Sequence, residues 1–456
     1  MADYRDEMNR RRARRAQQQA QARRQRIMLR IIAAVMVLGV SVTGLLMLTR
    51  NFSGSRQEPT EPVEMNQTET PTETSTEEAT EPVTEAPTRP PRGNKNDEEP
   101  TTVIHLAAAG DLVVTDDTVE AGKVLGGYDY TKIFMDVAPV LSDADLTVLN
   151  FEGNLLGAPY GTESTSAPEE LALALKNAGV DLVQMANSTA ISDGMAGLKT
   201  SLEGLRRTGL EPMGAFADHQ EFEKYKGYTL VDVQGIRIAF VAFTKGMGGL
   251  SLPAGSEDCV NLLYTDYATT YQEIDKEGIT AVLNNVSKER PDLTIAMVHW
   301  GSEYKDMVTD SQEKIAKLMQ DNGVDVVLGS HPHMLHRIEY DEFTGKLVAY
   351  SLGDFYSDAE RAGTDYSIIL DLEITRDNAT GETKVSNFSY TPICNLTEDE
   401  SPDGQRRVMQ LEKAMDAYED NFVDRVSDSV YEDLEYALTR IRERTTPPKP
   451  ETEEEE

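Results

Sequence analysis

The pattern of apolar and polar positions divides the chain into segments of very different character. Residues 31–48 form an uninterrupted apolar run, whereas residues 51–100 contain very few large apolar side chains. Residues 101–395 alternate short apolar runs with amphipathic stretches. Residues 403–443 place an apolar residue at every third or fourth position, which predicts one long amphipathic C-terminal helix. Residues 445–456 are acidic, and we expect them to be disordered.

Strand and helix patterns alternate within residues 101–395 before antiparallel strand pairs take over. Apolar runs predict strands at 103–109, 146–150, 181–185, 293–298 and 324–328. Helical spacing predicts helices at 130–141, 168–178, 196–208, 267–286 and 313–322. Turn residues predict hairpins around 234–235, 344–345 and 380–381. This order predicts an α/β fold with mixed sheets.

The apolar run at 31–48 predicts a membrane anchor. With the apolar residues just before Arg30, it approaches the roughly 20 residues that cross a bilayer. Residues 1–30 hold ten arginines against three acidic residues, a net charge of +7. The positive-inside rule therefore predicts a single-pass cell-membrane protein with a cytoplasmic N-terminus and an extracytoplasmic main domain. A cleaved signal peptide is the alternative, but the run is long and no A-x-A site follows it.

The charge and the cysteine content limit the kinds of partner and the number of disulfide bonds that the chain can have. The 456 residues carry a formal net charge of −35, which argues against a nucleic-acid partner. Thr, Glu and Pro dominate residues 51–100, so this segment is predicted to be a disordered stalk. The two cysteines, Cys259 and Cys394, are too few for a disulfide scaffold, and whether they form one bridge is left open.

Polar side chains follow five of the predicted strands at their ends. They are Asp111, Asn150 with Glu152, Asn187, His299, and His331 with His333. Ligands of α/β sheets gather beyond the C-terminal ends of strands, so these residues are expected to converge. Imidazole, carboxylate and amide groups form a ligand set for Zn, Mn or Fe, and two such ions would make a phosphoester-cleaving site. A turn role for Asp111 and a packing role for His299 remain open alternatives.

The order of these motifs resembles that of the CapA family of poly-γ-glutamate capsule synthesis proteins. The matching segments are 110–111, 150–153, 186–187, 299–304, 329–333 and 350–355, which read GD, NFEG, AN, HWGSEY, GSHPH and YSLGDF. The resemblance implies a calcineurin-like metallophosphatase fold, with two mixed β-sheets packed face to face and helices outside. It also implies a role in the synthesis, export or retention of an anionic polyglutamate-type polymer, together with other capsule-synthesis membrane proteins.

One motif departs from the family pattern. The family reads Ala-Asn-Asn-His, whereas this chain has Ser188 and Thr189 after Asn187. The resemblance implies a ligand Asn and a His that protonates the leaving group, and hydroxyl groups replace these roles poorly. Asp354 replaces the usual Asn, and Val113 stands where ordinary metallophosphatases have the His of a DxH motif. Two ions, one ion or none are therefore all open.

The resulting assignments can be stated by residue. The candidate metal ligands are Asp111, Glu152, Asn187, His299, His331 and His333. His299 is also the candidate catalytic residue, and Asn150, Glu303 and Asp354 are candidate substrate contacts. Besides the capsule role, the sequence leaves two functions open: an active metal-dependent phosphoesterase or envelope amide hydrolase, and a catalytically silent module that binds a polymer or a partner.

Overall fold

The structure is a computed structural model that describes residues 100–445. The predicted cytoplasmic tail and membrane helix, almost all of the predicted stalk, and residues 446–456 lie outside the described residues. Within the described range, none of the helices has both the length and the apolar surface that crossing a bilayer requires. The anchor at 31–48 and its orientation therefore stay predictions.

Residues 100–445 form strands and helices that alternate along the chain. The strands are β1 Thr101–Val113, β2 Lys123–Val124, β3 Gly127–Tyr128, β4 Leu146–Glu152, β5 Leu182–Gln184, β6 Glu211–Met213, β7 Tyr228–Val233, β8 Ile236–Thr244, β9 Leu293–His299, β10 Val326–Ser330, β11 Ile338–Asp341, β12 Lys346–Ala349, β13 Asp354–Tyr356, β14 Tyr366–Asp377, β15 Thr383–Leu396 and β16 Arg407–Gln410. The helices are α1 Asp116–Ala121, α2 Thr131–Phe134, α3 Ala138–Asp143, α4 Glu169–Ala178, α5 Gly194–Thr208, α6 His219–Tyr225, α7 Lys276–Glu289, α8 Asp310–Asp321, α9 Leu411–Glu419 and α10 Asp428–Thr445.

Two mixed sheets carry the fold. The first has the order β16-β15-β14-β1-β4-β5-β6, with β13 pairing to the end of β1. Its strands β1, β4, β5 and β6 run parallel, and β14 joins β1 antiparallel. The second sheet has the order β11-β12-β10-β9-β8-β7, with a parallel centre and an antiparallel strand at each edge. The predicted α/β class with mixed sheets is confirmed.

The sheets pack against each other through one face and against helices through the other. Along β8, Phe240 and Ala242 belong to the core cluster shared with the first sheet. The alternate residues Val241 and Phe243 belong to the cluster that contains the buried side of α7 and α8. Because successive strand residues point to opposite faces, a strand buried on both sides needs apolar residues at nearly every position. The sequence of β8, IRIAFVAFT, meets that requirement.

Three predicted helices differ from the structure. The predicted helix 403–443 is wrong as a single element, because residues 407–410 pair with β15 as the edge strand β16. A left-handed Asn421 follows α9, and a second helix starts only at Asp428. The predicted helix 267–286 begins instead at Lys276, because the Asp266 carboxylate accepts backbone N–H groups from residues 272 and 273 and holds that segment in a loop. The predicted helix 130–141 is split into α2 and α3.

The two cysteines are both buried and free, so the disulfide left open by the sequence is absent from residues 100–445. Cys259 lies in the loop between β8 and α7, and Cys394 lies on β15. Burial raises the pKa of the Cys259 thiol to about 11. Both thiols therefore act as small apolar side chains of the core.

Candidate metal centre

Strand register brings most of the predicted site residues to one edge of the two sheets. In the first sheet, Asp111 of β1 stands opposite Asn150 of β4 and opposite Asp354 of β13. In the second sheet, His299 at the end of β9 stands opposite Ser330 at the end of β10. Since these strands are parallel, their carboxyl ends meet at the same edge, as the sequence predicted.

A close backbone approach places Asp111. Its N–H donates to the Gly353 carbonyl oxygen at 2.9 Å. A Cβ added to Gly110 would lie only 1.8 Å from that oxygen. The register of β1 against β4 also shifts between Ala108 and Asp111, which is typical of a bulge beside a functional site. Gly110 is therefore required for β13 to bring Asp354 next to Asp111.

The loop after β10 holds two histidines in unusual backbone conformations. His331 has φ +90° and His333 has φ +58°, both in the region that favours glycine. The His331 N–H donates to Asp111 Oδ2 at 3.0 Å, which ties this loop to the first sheet. Left-handed non-glycine residues cost of order 1–3 kcal/mol each and are concentrated at functional sites. The strain here falls on the two residues that face the acidic groups.

Six buried side chains form two adjoining clusters. The glutamate cluster is Glu152, His299 and His331, and the aspartate cluster is Asp111, His333 and Asp354. Within each cluster the ligand atoms lie within 4.8 Å of one another. The clusters meet where His333 Nε2 lies 3.9 Å from Glu152 Oε2.

The glutamate cluster leaves one buried donor or acceptor atom unpaired on every member. These atoms are Glu152 Oε2, His299 Nε2 and His331 Nδ1. The His299 Nε2 atom lies 3.4 Å from Glu152 Oε1. The imidazoles of His299 and His331 have centroids 4.4 Å apart. Buried polar atoms are nearly always hydrogen-bonded, so three unpaired atoms that face one another need an explanation.

The aspartate cluster is held by a short contact between His333 and Asp354. His333 Nδ1 lies 2.8 Å from Asp354 Oδ1 and 3.7 Å from Asp111 Oδ2. The Asn150 amide donates to Asp111 Oδ1 at 2.7 Å. On the far side of the imidazole, the Tyr304 ring stacks on His333 with the centroids 5.2 Å apart. These contacts fix the orientation of every member of the cluster.

Burial and neighbouring charges shift the pKa values of individual residues in the two clusters, some upward and some downward. Burial raises the pKa of Asp111 to about 7, although the nearby His333 opposes this shift. Burial also acts to raise the pKa of Glu152, but His299 and the other imidazoles outweigh it and lower that pKa. Burial, and next the adjacent His299, hold the pKa of His331 well below its ordinary value. The imidazoles therefore stabilise the charged form of Glu152, whereas the protein alone does not offset the burial of Asp111.

The residues present fit a divalent cation. A cation would supply the missing partner of Glu152 Oε2, His299 Nε2 and His331 Nδ1, and it would offset the crowded carboxylates of the aspartate cluster. Imidazole nitrogen and carboxylate oxygen are donors that suit Zn, Mn or Fe. The histidine and carboxylate ligands predicted from the sequence thus lie together in a donor set of the predicted kind, and their role as ligands stays a prediction.

Asn187 and Asn150, which the sequence predicted as a ligand and a substrate contact, lie at the site and hydrogen-bond to neighbouring residues. The Asn187 amide nitrogen donates to Asn150 Oδ1 and to the Phe151 carbonyl oxygen, and its Oδ1 accepts two hydrogen bonds from Thr189. Both ends of the Asn187 amide are thus hydrogen-bonded to neighbouring residues, and its role as a ligand stays a prediction. Asn150 is buried between Asp111 and Asn187, so it positions Asp111, and its role as a substrate contact stays a prediction.

Two other predicted substrate contacts have different outcomes. Asp354 belongs to the aspartate cluster, because β13 sets it opposite Asp111, and it is therefore a candidate ligand. Glu303 is exposed in the loop after β9. Burial lowers the pKa of Lys245, and the nearby Glu303 carboxylate only partly opposes that shift. Glu303 as a substrate contact stays a prediction, as does His299 as a catalytic residue.

Sequence reasoning did not assign three residues that the structure places at the site. The Ser188 hydroxyl donates to Glu152 Oε1, so Ser188 and not Asn187 faces the clusters. Lys245 follows the end of β8, next to His299, and the strand-end pattern that found the other residues could have found it. Arg361 lies over the Tyr304 ring, and no local sequence pattern marks it.

Comparisons with known proteins find a matching family and curated relatives. Residues 105–359 match the family described as bacterial capsule synthesis protein PGA_cap. The chain is 27% identical over 265 residues to the capsule biosynthesis protein CapA of Bacillus anthracis, covering 57% of this chain and 61% of that protein. It is 28% identical over 270 residues to the PGA biosynthesis protein CapA of Bacillus subtilis (strain 168), covering 57% of this chain and 64% of that protein. The alignments thus span less than two thirds of the length of either curated relative.

Solved structures with a similar arrangement have low overall similarity. The calcineurin-like phosphoesterase YfkN from Bacillus subtilis aligns over 64% of this chain and 91% of its own, with 13% identity and a TM-score of 0.39.

Proposed function

The chain belongs to the family of bacterial capsule synthesis proteins, and on that premise we propose that it is a membrane-anchored, extracytoplasmic protein that serves the synthesis, export or retention of an anionic poly-γ-glutamate-type polymer. The names of the two curated relatives, a capsule biosynthesis protein and a PGA biosynthesis protein, support this role. The apolar run at 31–48 and the arginines before it support the anchor and its orientation.

The observation that carries the proposal at the site is the set of unpaired buried atoms in the glutamate cluster. Glu152, His299 and His331 would hold one ion, and Asp111, His333 and Asp354 a second one next to it. A bound divalent ion supplies positive charge that binds and polarises an oxyanion. The protein itself contributes a fixed frame, because Asn150 and the His331 N–H hold Asp111, and Ser188 holds Glu152.

A second candidate function, a metal-dependent hydrolase of phosphoesters or envelope amides, is favoured by the two adjoining clusters. The residues around Asn187 argue against it. The Thr189 hydroxyl is bonded to Asn187 Oδ1, and a hydroxyl of ordinary pKa does not serve as a general acid near neutral pH. We therefore place binding of the polymer ahead of its cleavage, and a silent binding module would keep the fold while lacking the metal.

The metal content of the purified full chain tests the centre. We expect Zn, Mn or Fe in near-stoichiometric amount in the wild-type protein, and a loss of at least half of it in His333→Ala. His105→Ala is the matched control, because His105 also contacts an aspartate, Asp371 at 3.2 Å, but is exposed and outside both clusters. Equal metal content in wild type and His333→Ala would refute the ligand role, and no metal in either protein would favour the silent module.

Polymer binding tests the capsule role. We expect the full chain to bind a γ-linked glutamate oligomer, and a chelator to weaken that binding because cations bridge the carboxylates of polymer and site. A γ-linked isoglutamine oligomer, whose α-carboxylates are replaced by neutral α-carboxamides, is the control and should bind much less. If the wild-type protein does not distinguish the two oligomers, the proposed role in handling an anionic polymer is wrong.

A further inference from the structure

Two cationic side chains lie beside the metal clusters outside any ion pair, although Glu303 acts on Lys245 from a longer distance. Within residues 100–445, neither Arg361 nor Lys245 has a carboxylate within ion-pair distance. Most arginines of the described chain that have an assigned contact do meet a carboxylate, as Arg337 meets Glu313 and Glu339. Arg361 departs from this pattern in a chain with a net charge of −35.

Arg361 is held in position by stacking. Its guanidinium lies 4.0 Å from the centroid of the Tyr304 ring, and the other face of that ring stacks on His333. Tyr304 is itself fixed, because its N–H donates to the Pro332 carbonyl oxygen at 2.9 Å and its φ is +58°. The Tyr304 residue remains 38% exposed, so the stack reaches the protein surface beside the aspartate cluster. A guanidinium that lies flat on a ring keeps its N–H groups free at its edge.

The loop that carries Arg361 is anchored at its base. Arg406 is only 4% exposed, and its guanidinium donates to the carbonyl oxygens of Ser357 and Asp358. At the other side of the loop, the Thr364 N–H and hydroxyl donate to the Arg361 carbonyl oxygen and close a turn. The loop begins directly after β13, the strand that carries Asp354. Arg361 is therefore presented by a supported turn next to the aspartate cluster.

Lys245 approaches from the second sheet. Its Nζ donates to the Gly301 carbonyl oxygen at 2.7 Å and lies 4.6 Å from the centroid of the Tyr271 ring. Its backbone N–H donates to the His299 carbonyl oxygen, which places the residue beside the glutamate cluster. One carbonyl contact leaves two of the three ammonium N–H groups without a protein acceptor. Lys245 thus offers a second positive charge close to His331.

We propose that Arg361 and Lys245 form a carboxylate-binding subsite beside the metal centre. This subsite receives the free α-carboxylates of a γ-linked glutamate chain, and the assignment rests on the proposed function. Each γ-linked residue exposes one α-carboxylate, so the polymer presents a regular series of planar anions. The guanidinium edge of Arg361 matches a carboxylate with two parallel N–H donors. The three acidic groups of the clusters would otherwise repel such a polymer, so cations beside them are needed for its approach.

The test measures the affinity of the full chain for a γ-linked glutamate octamer by titration calorimetry. Arg361→Gln is expected to weaken binding about 5- to 10-fold, since a charge-assisted hydrogen bond at a half-exposed site is lost. Arg361→Lys keeps the charge but loses the planar guanidinium group, so its affinity for the octamer should lie between those of the wild type and Arg361→Gln. Lys245→Gln is expected to weaken binding to a similar extent.

Arg425→Gln is the matched control. The Arg425 guanidinium also lies on a tyrosine, 4.8 Å from the Tyr418 ring centroid. Arg425 lies just before the first residue of α10. The last turn of α10, at the opposite end, carries Arg444, which contacts Leu335 beside the site. The 18 residues of α10 separate the two ends by about 27 Å at 1.5 Å per residue. Arg425→Gln should therefore leave octamer affinity unchanged, and melting temperatures should show that all variants fold.

The outcomes separate the subsite from the proposed function. If the wild-type chain does not bind the octamer, the proposed function fails and the subsite fails with it. If the wild type binds but Arg361→Gln and Lys245→Gln bind equally well, the subsite alone is overturned. If inorganic phosphate displaces the octamer, and Arg361→Gln weakens phosphate binding but not octamer binding, the pair binds phosphate and the carboxylate assignment is wrong.

Discussion

Glu152→Gln should remove most of the thermal stabilisation that a divalent metal gives to this protein. Glu152 is the one carboxylate of the glutamate cluster, and it also lies 3.9 Å from His333 of the aspartate cluster. The amide of glutamine has nearly the same shape as the carboxylate and can still accept the hydrogen bond from Ser188. The substitution therefore removes a charged ligand with little change in packing.

The size of the effect follows from linkage. A metal at about 100 times its Kd stabilises the folded state by about 2.7 kcal/mol. For about 350 ordered residues, the unfolding entropy of about 2.1 cal/mol/K per residue gives about 0.7 kcal/mol/K, so this corresponds to a Tm shift of about 4 °C. Supporting contacts of a metal site are worth about 10- to 100-fold in affinity, and we take the upper value for a direct ligand. At the same metal concentration Glu152→Gln then gains only about 0.4 kcal/mol, a shift of less than about 1 °C.

Differential scanning calorimetry with chelator and with Mn, Zn or Fe measures this shift for each protein separately, so that differences in intrinsic stability cancel. Asp325→Asn is the matched control. Asp325 is a partly buried carboxylate that accepts the Thr294 N–H at 2.8 Å, but it precedes β10, whereas His331 follows that strand. Asp325→Asn should lower Tm and keep the full metal shift. A wild-type shift that survives in Glu152→Gln would refute the ligand role of Glu152.

Three further substitutions test the frame around the site. Gly110→Ala should lower the free energy of unfolding, measured in urea, by about 3 kcal/mol or more, because its Cβ would lie 1.8 Å from the Gly353 oxygen. A decrease of less than about 1 kcal/mol would contradict the close backbone approach. Arg406→Met should lower the free energy of unfolding by about 2–4 kcal/mol and also weaken octamer binding, because the carbonyl groups of Ser357 and Asp358 lose their donor. Unchanged octamer binding would show that the position of the Arg361 loop does not depend on Arg406. Val423→Asp, at a residue that is 105% exposed, should change stability by less than about 0.5 kcal/mol, and a larger loss would show that this surface is covered.

The strand ends of this fold could be predicted from the sequence, because the relevant physics is local. Apolar runs marked β4, β9 and β10 closely, and the rule that parallel strands end at one edge then brought Asp111, His299 and His331 together. The rule does not say which of two consecutive residues faces the site once the chain leaves a strand. After β5, the Asn187 amide binds a backbone carbonyl group and the Ser188 hydroxyl binds Glu152, a contact that the sequence did not predict.

Long-range contacts explain the predictions that failed. Residues 407–410 continue a helical pattern, but the edge of β15 offers them backbone partners, and strand pairing replaces the first turns of the predicted helix. Arg361 lies in a loop without periodicity, and its position depends on Arg406, which is 48 residues from Asp358 in sequence. No local pattern encodes a contact of that kind.

The departure at Ser188 and Thr189 has a definite structural meaning. The resemblance to the capsule family implies a ligand and a proton donor at these positions, and this chain uses both hydroxyl groups to hold neighbours: Ser188 holds Glu152, and Thr189 holds Asn187. The chain also has the histidines and carboxylates of the two clusters, and two cations, Arg361 and Lys245, lie beside them. A site that keeps the groups for binding a metal and an anion, but lacks the group that protonates a leaving atom, is suited to holding an acidic polymer and poorly suited to cleaving it.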